Sequence, residues 1–277
     1  MQINKALIFY AMVIVLYIAI LINIDIQKGL FLNLYNALSL MPIIIILTLF
    51  SFILRYIRWY MLIMLTKYHI PFWRGCLAYI SGFAFTATPG KVGELVRIRY
   101  FNRLHVHPST VIAAFIFERS IDLIVVLIIG SIWAFNTKIL FLAISIVLFF
   151  IFFVGLFIYK PKFLILIQDY LIKKDFKRIS TIINYFVIAI SDCRKWLTVR
   201  VIFLSYLLGF FAWGLISIAF VFLLFILELD IPIYRSLSIY PLSMLVGAAS
   251  MIPGGFGSTE AAIVIQLQWL DVPIEKA

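Results

Sequence analysis

Long apolar segments are the feature that most restricts how this chain can fold. Five of them approach or exceed the roughly 20 residues that an α-helix needs to cross the hydrocarbon core of a bilayer. They cover residues 6–24, 38–56, 110–135, 139–159 and 199–227. Their apolar character is continuous, whereas the strands of an outer-membrane barrel alternate over segments of about ten residues. The sequence therefore predicts an all-α polytopic membrane protein with about five full spans.

Composition excludes the soluble alternatives. Of the 277 residues, 65% are hydrophobic and 13% are charged, whereas an ordinary soluble domain is about 45–50% apolar and about 25% charged. A soluble domain of this length could not cover so much apolar surface with so few charges. The net charge of +11 is then typical of cytoplasmic loops and anionic lipids rather than of nucleic-acid binding. No metal and no cofactor is expected, because the cysteines and histidines lack ligand spacing and no phosphate-loop motif is present.

Lysine and arginine predict the orientation of the spans, because both residues are enriched in cytoplasmic loops. Residues 160–200 contain nine of them, opposed by three aspartates. If this linker is cytoplasmic, the N-terminus and the basic clusters that include Arg55, Arg58 and Arg97 lie on the same side. We therefore expect a multi-pass protein of the cytoplasmic (inner) membrane. Within residues 160–198, apolar residues at helical spacing predict an amphipathic helix on the membrane surface, with packing on a cytoplasmic partner as the alternative.

Two further apolar segments, 75–103 and 237–270, are interrupted by proline and glycine. The first begins and ends beside residues assigned to the cytoplasm, which predicts a re-entrant hairpin or broken helix with its tip near Thr88-Pro89-Gly90. The second is predicted to enter from the opposite side, with its tip near Pro253-Gly254-Gly255. Both breaks contain P-G-x-x-G followed by a glutamate. Paired interruptions of this kind are the sequence signal of a site built by an inverted repeat.

The repeat divides a single membrane domain, residues 1–277, into two halves. The first half covers residues 1–135 and contains the broken hairpin 75–103. The second covers residues 139–277 and contains the linker 160–198 and the broken hairpin 237–270. A span follows the hairpin in the first half, so we expect the matching C-terminal helix to be missing here, either by truncation or in a natural short form.

The interrupted segments are predicted to line a polar cavity. Proline lacks an N–H group, glycine permits tight turns, and the backbone groups that they free cannot face lipid. A helix that restarts after such a break directs its positive end at the cavity, where it suits an anion such as phosphate. Kinked spans that use glycine only for close packing are the alternative. The candidate residues of the two breaks are Pro89, Gly90, Lys91, Gly93, Glu94, Arg97, Pro253, Gly254, Gly255, Gly257 and Glu260.

Three charged residues, Glu118, Arg119 and Asp122, lie inside the predicted span 110–135. Charges near the middle of a bilayer are costly, so they normally face the protein interior and are paired. The functional interpretation is that Arg119 or Lys91 binds an anionic headgroup while the carboxylates orient it or carry protons. The structural alternative is a set of ion pairs that clamps the hairpin to the span. For Lys91, Arg97 and Arg99, extension to the cytoplasmic interface is a further alternative.

These motifs together resemble a known family. Thr88-Pro-Gly-Lys-Val-Gly-Glu94, Glu118-Arg119-x-x-Asp122 and Pro253-Gly-Gly-Phe-Gly-x-x-Glu260, in this order, are similar to the lysylphosphatidylglycerol synthase transmembrane domain. This is the membrane domain of the multiple peptide resistance factors, and it also occurs as stand-alone proteins. The resemblance implies a polytopic helical fold and movement of aminoacylated phosphatidylglycerol between leaflets. The sequence does not contain the aminoacyltransferase domain of the two-domain members, which argues against synthase activity.

Three functions stay open at this point. The leading hypothesis is a flippase-like translocase that moves a phospholipid or a polyprenyl-phosphate-linked lipid between leaflets. The second is a non-catalytic scaffold for a lipid-modifying synthase or glycosyltransferase, which would use the basic linker. The third, an intramembrane lipid-modifying enzyme, is disfavoured because no HExxH or GxSxG motif is present, so we expect no enzyme. The expected partners are membrane lipids with anionic headgroups, a synthase or glycosyltransferase in the second case, and no nucleic acid.

Overall fold

The computed structural model describes residues 38–86, 88–132, 138–159 and 177–274, together with isolated positions 12, 15, 16, 19, 165, 166, 168 and 170. All regular secondary structure in these residues is helical, as the apolar segments predict. The predicted span 6–24 lies outside the described residues, apart from four isolated positions. The first part of the linker 160–198 likewise has only four such positions before residue 177.

The helices differ in length and regularity. The α-helices in the described part of the chain are α1 (Met41–Met64), α2 (Phe72–Ile80), α3 (Arg97–Asn102), α4 (Pro108–Ser131), α5 (Lys138–Tyr159), α6 (Lys177–Trp196), α7 (Val199–Ile226), α8 (Ile233–Ala249) and α9 (Ser258–Gln268). Short 3₁₀ helices cover Ser81–Phe85, Pro89–Val96 and Pro253–Gly255.

Two of these helices, α1 with 24 residues and α7 with 28, are long and apolar enough to cross a membrane by length and composition. They pack against each other. Helix α1 continues to Met64, beyond the end that was predicted at residue 56. Arg55 and Arg58 therefore lie within the helix. The buried carboxylates of Asp122 and Glu118 on another helix compensate their charge.

Helix α4 occupies the centre of the fold. It packs against α1, α3, α5, α6, α7 and α8, and 15 of its 24 residues are buried. Pro108 lies in its first turn, where no intrahelical N–H partner is needed. A helix that is apolar on nearly all sides belongs inside a helical bundle, and this position puts Glu118, Arg119 and Asp122 among the surrounding helices.

Both interrupted segments fold back on themselves. In the first, α2 and the 3₁₀ helix Ser81–Phe85 form one arm, and Pro89–Val96 with α3 forms the other, packed against it. In the second, α8 and α9 pack against each other across the 3₁₀ turn Pro253–Gly255. The 3₁₀ segments of the two breaks are in direct contact. The fold therefore brings together two motifs that are more than 150 residues apart in the chain.

Helix α6 packs on α4 through part of its apolar stripe. Cys193 and Trp196 are buried there, and the hydroxyl of Thr110 on α4 donates a hydrogen bond to Asp192 Oδ2 at 3.0 Å. Ile179, near the start of α6, is 48% exposed. The stripe that was interpreted as a membrane-facing surface is thus divided between a contact with the chain's own central helix and an exposed part.

Candidate functional site

Seven charged side chains converge where α1, α4 and the first hairpin meet. We call them the charge network: Arg55, Arg58, Glu94, Arg97, Glu118, Arg119 and Asp122. Each side chain is 15% exposed or less. Local helix geometry prepares the cluster, because residues three or four apart share one face of a helix. Arg55 and Arg58 on α1 have this spacing, as do Glu118 and Asp122 on α4.

Arg58 joins α1 to two carboxylates of α4. Its Nη2 atom lies 3.1 Å from Glu118 Oε1 and 2.8 Å from Asp122 Oδ1. The Tyr79 hydroxyl donates a second hydrogen bond to Glu118 Oε1 at 2.5 Å. A glycine at position 209 of α7 makes room for the guanidinium, since a Cβ there would lie 2.7 Å from Arg58 Nη1. Glu118 is therefore held from α1 and from the first hairpin together.

Arg97 anchors the returning arm of the first hairpin. Its Nη2 donates to Glu94 Oε2 at 2.5 Å, its Nε donates to the Glu94 backbone carbonyl at 3.0 Å, and its Nη1 lies 3.6 Å from Glu118 Oε2. Its guanidinium carbon lies 4.5 Å from the centre of the Tyr79 ring, a distance typical of cation–π contact. A Cβ at Gly82 would lie 2.7 Å from Arg97 Nε, so glycine is needed there. Arg97 is fully buried within the charge network, so the alternative in which it extends to the cytoplasmic interface does not describe its position.

Arg119 has looser contacts than Arg58 and Arg97. Its Nη2 atom lies 3.4 Å from Asp122, 3.7 Å from Glu118 and 3.8 Å from Glu94. Within the described structure, its Nε and Nη2 atoms make no hydrogen bond. Its side chain is 15% exposed. Arg119 is thus at the edge of the charge network and has unused donors.

Arg55 completes the network on the side of α7. Its Nη1 lies 3.5 Å from Asp122 Oδ2, and its Nε donates to the hydroxyl of Ser51 at 3.4 Å. Its guanidinium carbon is 4.5 Å from the centre of the Trp213 ring on α7. These contacts hold the charge of Arg55 between two membrane-length helices.

The network carries an excess of positive charge, with four arginines against three carboxylates. Lys91, at the break of the first hairpin, is within electrostatic range of Arg119, Glu94, Arg55 and Asp122 and raises the excess to two. Its backbone has a φ of 57°, a left-handed conformation that is uncommon outside glycine and often marks functional segments. The arrangement can therefore accept an anion.

Other candidates of the first break shape its turn. The N–H of Gly93 donates to the Thr88 hydroxyl at 2.7 Å, and a Cβ at position 93 would lie 2.7 Å from that same oxygen. Pro89 and Gly90 open the 3₁₀ segment that runs to Val96. These residues set the backbone course that places Lys91 and Glu94 beside α4.

The second break has a different arrangement. Gly254, Gly255 and Gly257 have φ of 69°, 69° and 80°, and these values favour glycine. Pro253 begins this turn. Glu260 is exposed and accepts a hydrogen bond from the Gly257 N–H at 2.8 Å, which caps α9. The two motif glutamates are therefore not equivalent, because Glu94 is 1% exposed and lies within the charge network.

Three contributors to the site were not among the predicted residues: Arg55, Arg58 and Tyr79. The sequence pattern predicts both arginines in a cytoplasmic basic cluster. A usable signal was present, because the apolar pattern continues from Trp59 to Met64 beyond them. Arginines three apart inside an apolar helix also match carboxylates four apart in another span.

Comparison of the sequence with known protein families covers the charge network and both breaks. A family model described as "Lysylphosphatidylglycerol synthase TM region" matches residues 7–277, nearly the whole chain. No curated protein and no solved structure matches. In the part of the chain that the structure describes, no three His, Cys, Asp or Glu residues are grouped to hold a metal ion.

Proposed function

This chain belongs to the lysylphosphatidylglycerol synthase TM-region family of membrane domains, and from that premise we propose that it is a lipid translocase. It moves a phospholipid or a polyprenyl-phosphate-linked lipid between the leaflets of the cytoplasmic membrane. No covalent bond is made or broken in this activity, so the chain acts without being an enzyme. The family links the chain to lipid handling in general, and the leaflet exchange is our proposal.

The observation that carries the proposal is the excess positive charge of the buried charge network. Burying a charge among apolar helices is costly, and an unpaired one is the most costly. Four arginines and Lys91 face three carboxylates there, and the surplus favours an anion as the missing partner. A lipid phosphate fits this chemistry because its acyl chains can stay in the bilayer while its headgroup enters the protein.

The contact between the two hairpin tips supports a route for the headgroup. The proposal places five full spans and two re-entrant hairpins in an inverted repeat, with the N-terminus in the cytoplasm. One hairpin then approaches the site from each side of the membrane, as in transporters that bind substrate between repeats. Movement of either tip would open the charge network to one leaflet at a time.

A leaflet-exchange assay tests the proposal. The full chain is reconstituted into phosphatidylcholine vesicles that contain a trace of phosphatidylglycerol with a fluorescent headgroup, and dithionite bleaches the outer leaflet. With the wild-type protein we expect the bleached fraction to exceed the outer-leaflet share, because inner-leaflet lipid becomes accessible. Lys91→Gln and Glu118→Gln should slow this second phase, whereas Arg103→Gln, an exposed position on the same hairpin, should not.

Two outcomes would overturn translocation by this site. One is a wild-type protein that exchanges lipid no faster than empty vesicles do. The other is unchanged exchange in both Lys91→Gln and Glu118→Gln. Elution of each variant as a single species on size exclusion separates loss of function from loss of fold. Replacement of the half-buried Lys91 leaves the buried Glu94 compensated, because Glu94 keeps its ion pair with Arg97.

A further inference from the structure

The charge network does not use its arginines equally. Glu94 has Arg97 at 2.5 Å, Asp122 has Arg58 at 2.8 Å, and Glu118 has Arg58 at 3.1 Å. The Tyr79 hydroxyl adds a further donor to Glu118. Every carboxylate of the network therefore keeps a close cation when Arg119 is left out of the count.

Arg119 is the most exposed arginine of the charge network, and its carboxylate contacts are long. Its contacts of 3.4–3.8 Å are longer than the roughly 2.7–2.9 Å of a charge-assisted hydrogen bond. Two of its buried nitrogen atoms, Nε and Nη2, lack a hydrogen-bond acceptor in the described structure, as do Nε and Nη1 of Arg58 and Nη1 of Arg97. Its side chain is 15% exposed, whereas those of Arg58 and Arg97 are 0% exposed. A ligand could therefore reach Arg119 without breaking the closest ion pairs.

Lys91 is a second cation near the charge network, on the returning arm of the first hairpin. It is within electrostatic range of Arg119 and of Glu94, and it is half-buried at the break of the first hairpin. Two cations from different elements that repel each other are stabilised when an anion lies between them. The arginine fork supplies directional N–H donors, and the lysine supplies a compact point charge.

We propose that Arg119 and Lys91 form the phosphate-binding pair of this protein, while Arg58 and Arg97 are positioning residues that hold the carboxylates away from the phosphate. The ligand class is a phosphomonoester or phosphodiester on a lipid headgroup, so this inference rests on the proposed function. Arg119 donates two hydrogen bonds to phosphate oxygens, and Lys91 neutralises the remaining charge. Anionic lipids bind more tightly than phosphatidylcholine, whose ammonium group would meet the excess positive charge.

Binding is measured apart from transport to test this pair. The full chain in detergent is titrated with short-chain phosphatidylglycerol, short-chain phosphatidylcholine, and inorganic phosphate, with heat as the readout. We expect Arg119→Gln to weaken phosphatidylglycerol binding about tenfold to a hundredfold, the equivalent of losing one hydrogen bond to a charged group. Lys91→Gln should weaken it as well, Arg119→Lys should recover part of the loss, and Arg103→Gln should match wild type.

Several outcomes decide the inference. Unchanged phosphatidylglycerol affinity in folded Arg119→Gln overturns the pair, and so does equal affinity for phosphatidylcholine. Inorganic phosphate that competes as well as the lipid overturns the lipid assignment. Specific binding without leaflet exchange keeps the pair and overturns translocation. Leaflet exchange that is unchanged in Arg119→Gln keeps translocation and overturns the pair.

Discussion

The Nη2 atom of Arg58 lies 3.1 Å from the Oε1 atom of Glu118, and both side chains are fully buried. The two residues are 60 positions apart in the chain, so this contact joins α1 to α4 across the centre of the fold. Because neither group can reach water, each depends on the other for the compensation of its charge.

Replacing Arg58 should therefore destabilise the protein more than any exposed charge does. Arg58→Gln leaves Glu118 and Asp122 without their closest cation, and breaking a buried pair in this way costs about 3–5 kcal/mol. Thermal unfolding in detergent, followed by size exclusion, measures the loss. Arg103→Gln, whose side chain is exposed, should change stability by less than about 0.5 kcal/mol. Equal unfolding temperatures for the two variants would contradict the role assigned to Arg58.

The glycines of α7 provide a matched pair of variants. A Cβ at Gly209 would lie 2.7 Å from Arg58 Nη1, whereas a Cβ at Gly214 meets nothing within 4 Å. Gly209→Ala should cost about 1–3 kcal/mol, because it forces the guanidinium out of place. Gly214→Ala should be neutral or slightly stabilising, because alanine favours helix over glycine by about 0.5–1 kcal/mol. Thermal unfolding of both variants checks this. An equal loss of stability in both variants would contradict the role assigned to the space beside Gly209.

The attachment of α6 to α4 should depend on Thr110. Its hydroxyl donates to Asp192 at 3.0 Å in a buried contact, so Thr110→Val leaves that oxygen without its donor at a cost of about 1–3 kcal/mol. Limited proteolysis should then cleave α6 faster. Lys195→Gln is the control, because the Lys195 side chain is 60% exposed and ion pairs with an exposed partner contribute about 0–1 kcal/mol. Faster cleavage in the control than in Thr110→Val would overturn the assignment.

Cys193, outside the two membrane-length helices, should be chemically inert in the folded protein. Burial, reinforced by Asp192, raises the pKa of its thiol to about 12 from an ordinary value of 9.0, and only the thiolate reacts readily. In a Cys76→Ser background, maleimide at pH 8 should label the denatured chain quickly and the folded chain slowly. Fast labelling of the folded chain would contradict the burial of this thiol.

The same thiol makes stability fall at alkaline pH. Between about pH 9 and pH 12 the unfolded state loses the Cys193 proton while the folded state keeps it, so the free energy of unfolding decreases as the pH rises. The contribution is complete below pH 9. Unfolding of Cys193→Ala should show a weaker alkaline decrease than that of wild type, and an identical slope would contradict the assignment.

Part of the site could be predicted from the sequence. Glu118 and Asp122 are identifiable because charges inside an apolar span are costly and are normally paired inside the protein. Both breaks are identifiable because proline and glycine disturb helices locally. Glu94 and Glu260 follow similar motifs in the sequence, but the structure places them in different surroundings. Glu94 is buried beside Arg97, whereas Glu260 caps its own helix at the surface. Similar motifs diverge in this way when the surrounding helices differ.

The sequence by itself determined the helical membrane class, the family and the positions of the two breaks, because apolar length and backbone chemistry act within one segment. Only the tertiary structure decided which charges pair. The partners of Arg58 appear only when α1 is packed on α4, and Arg119 keeps only longer contacts of 3.4–3.8 Å because Arg58 and Arg97 lie closer to the carboxylates. The physical reason is that ion-pair energy depends on separation and on the exclusion of water. Both are set by helices far apart in the chain.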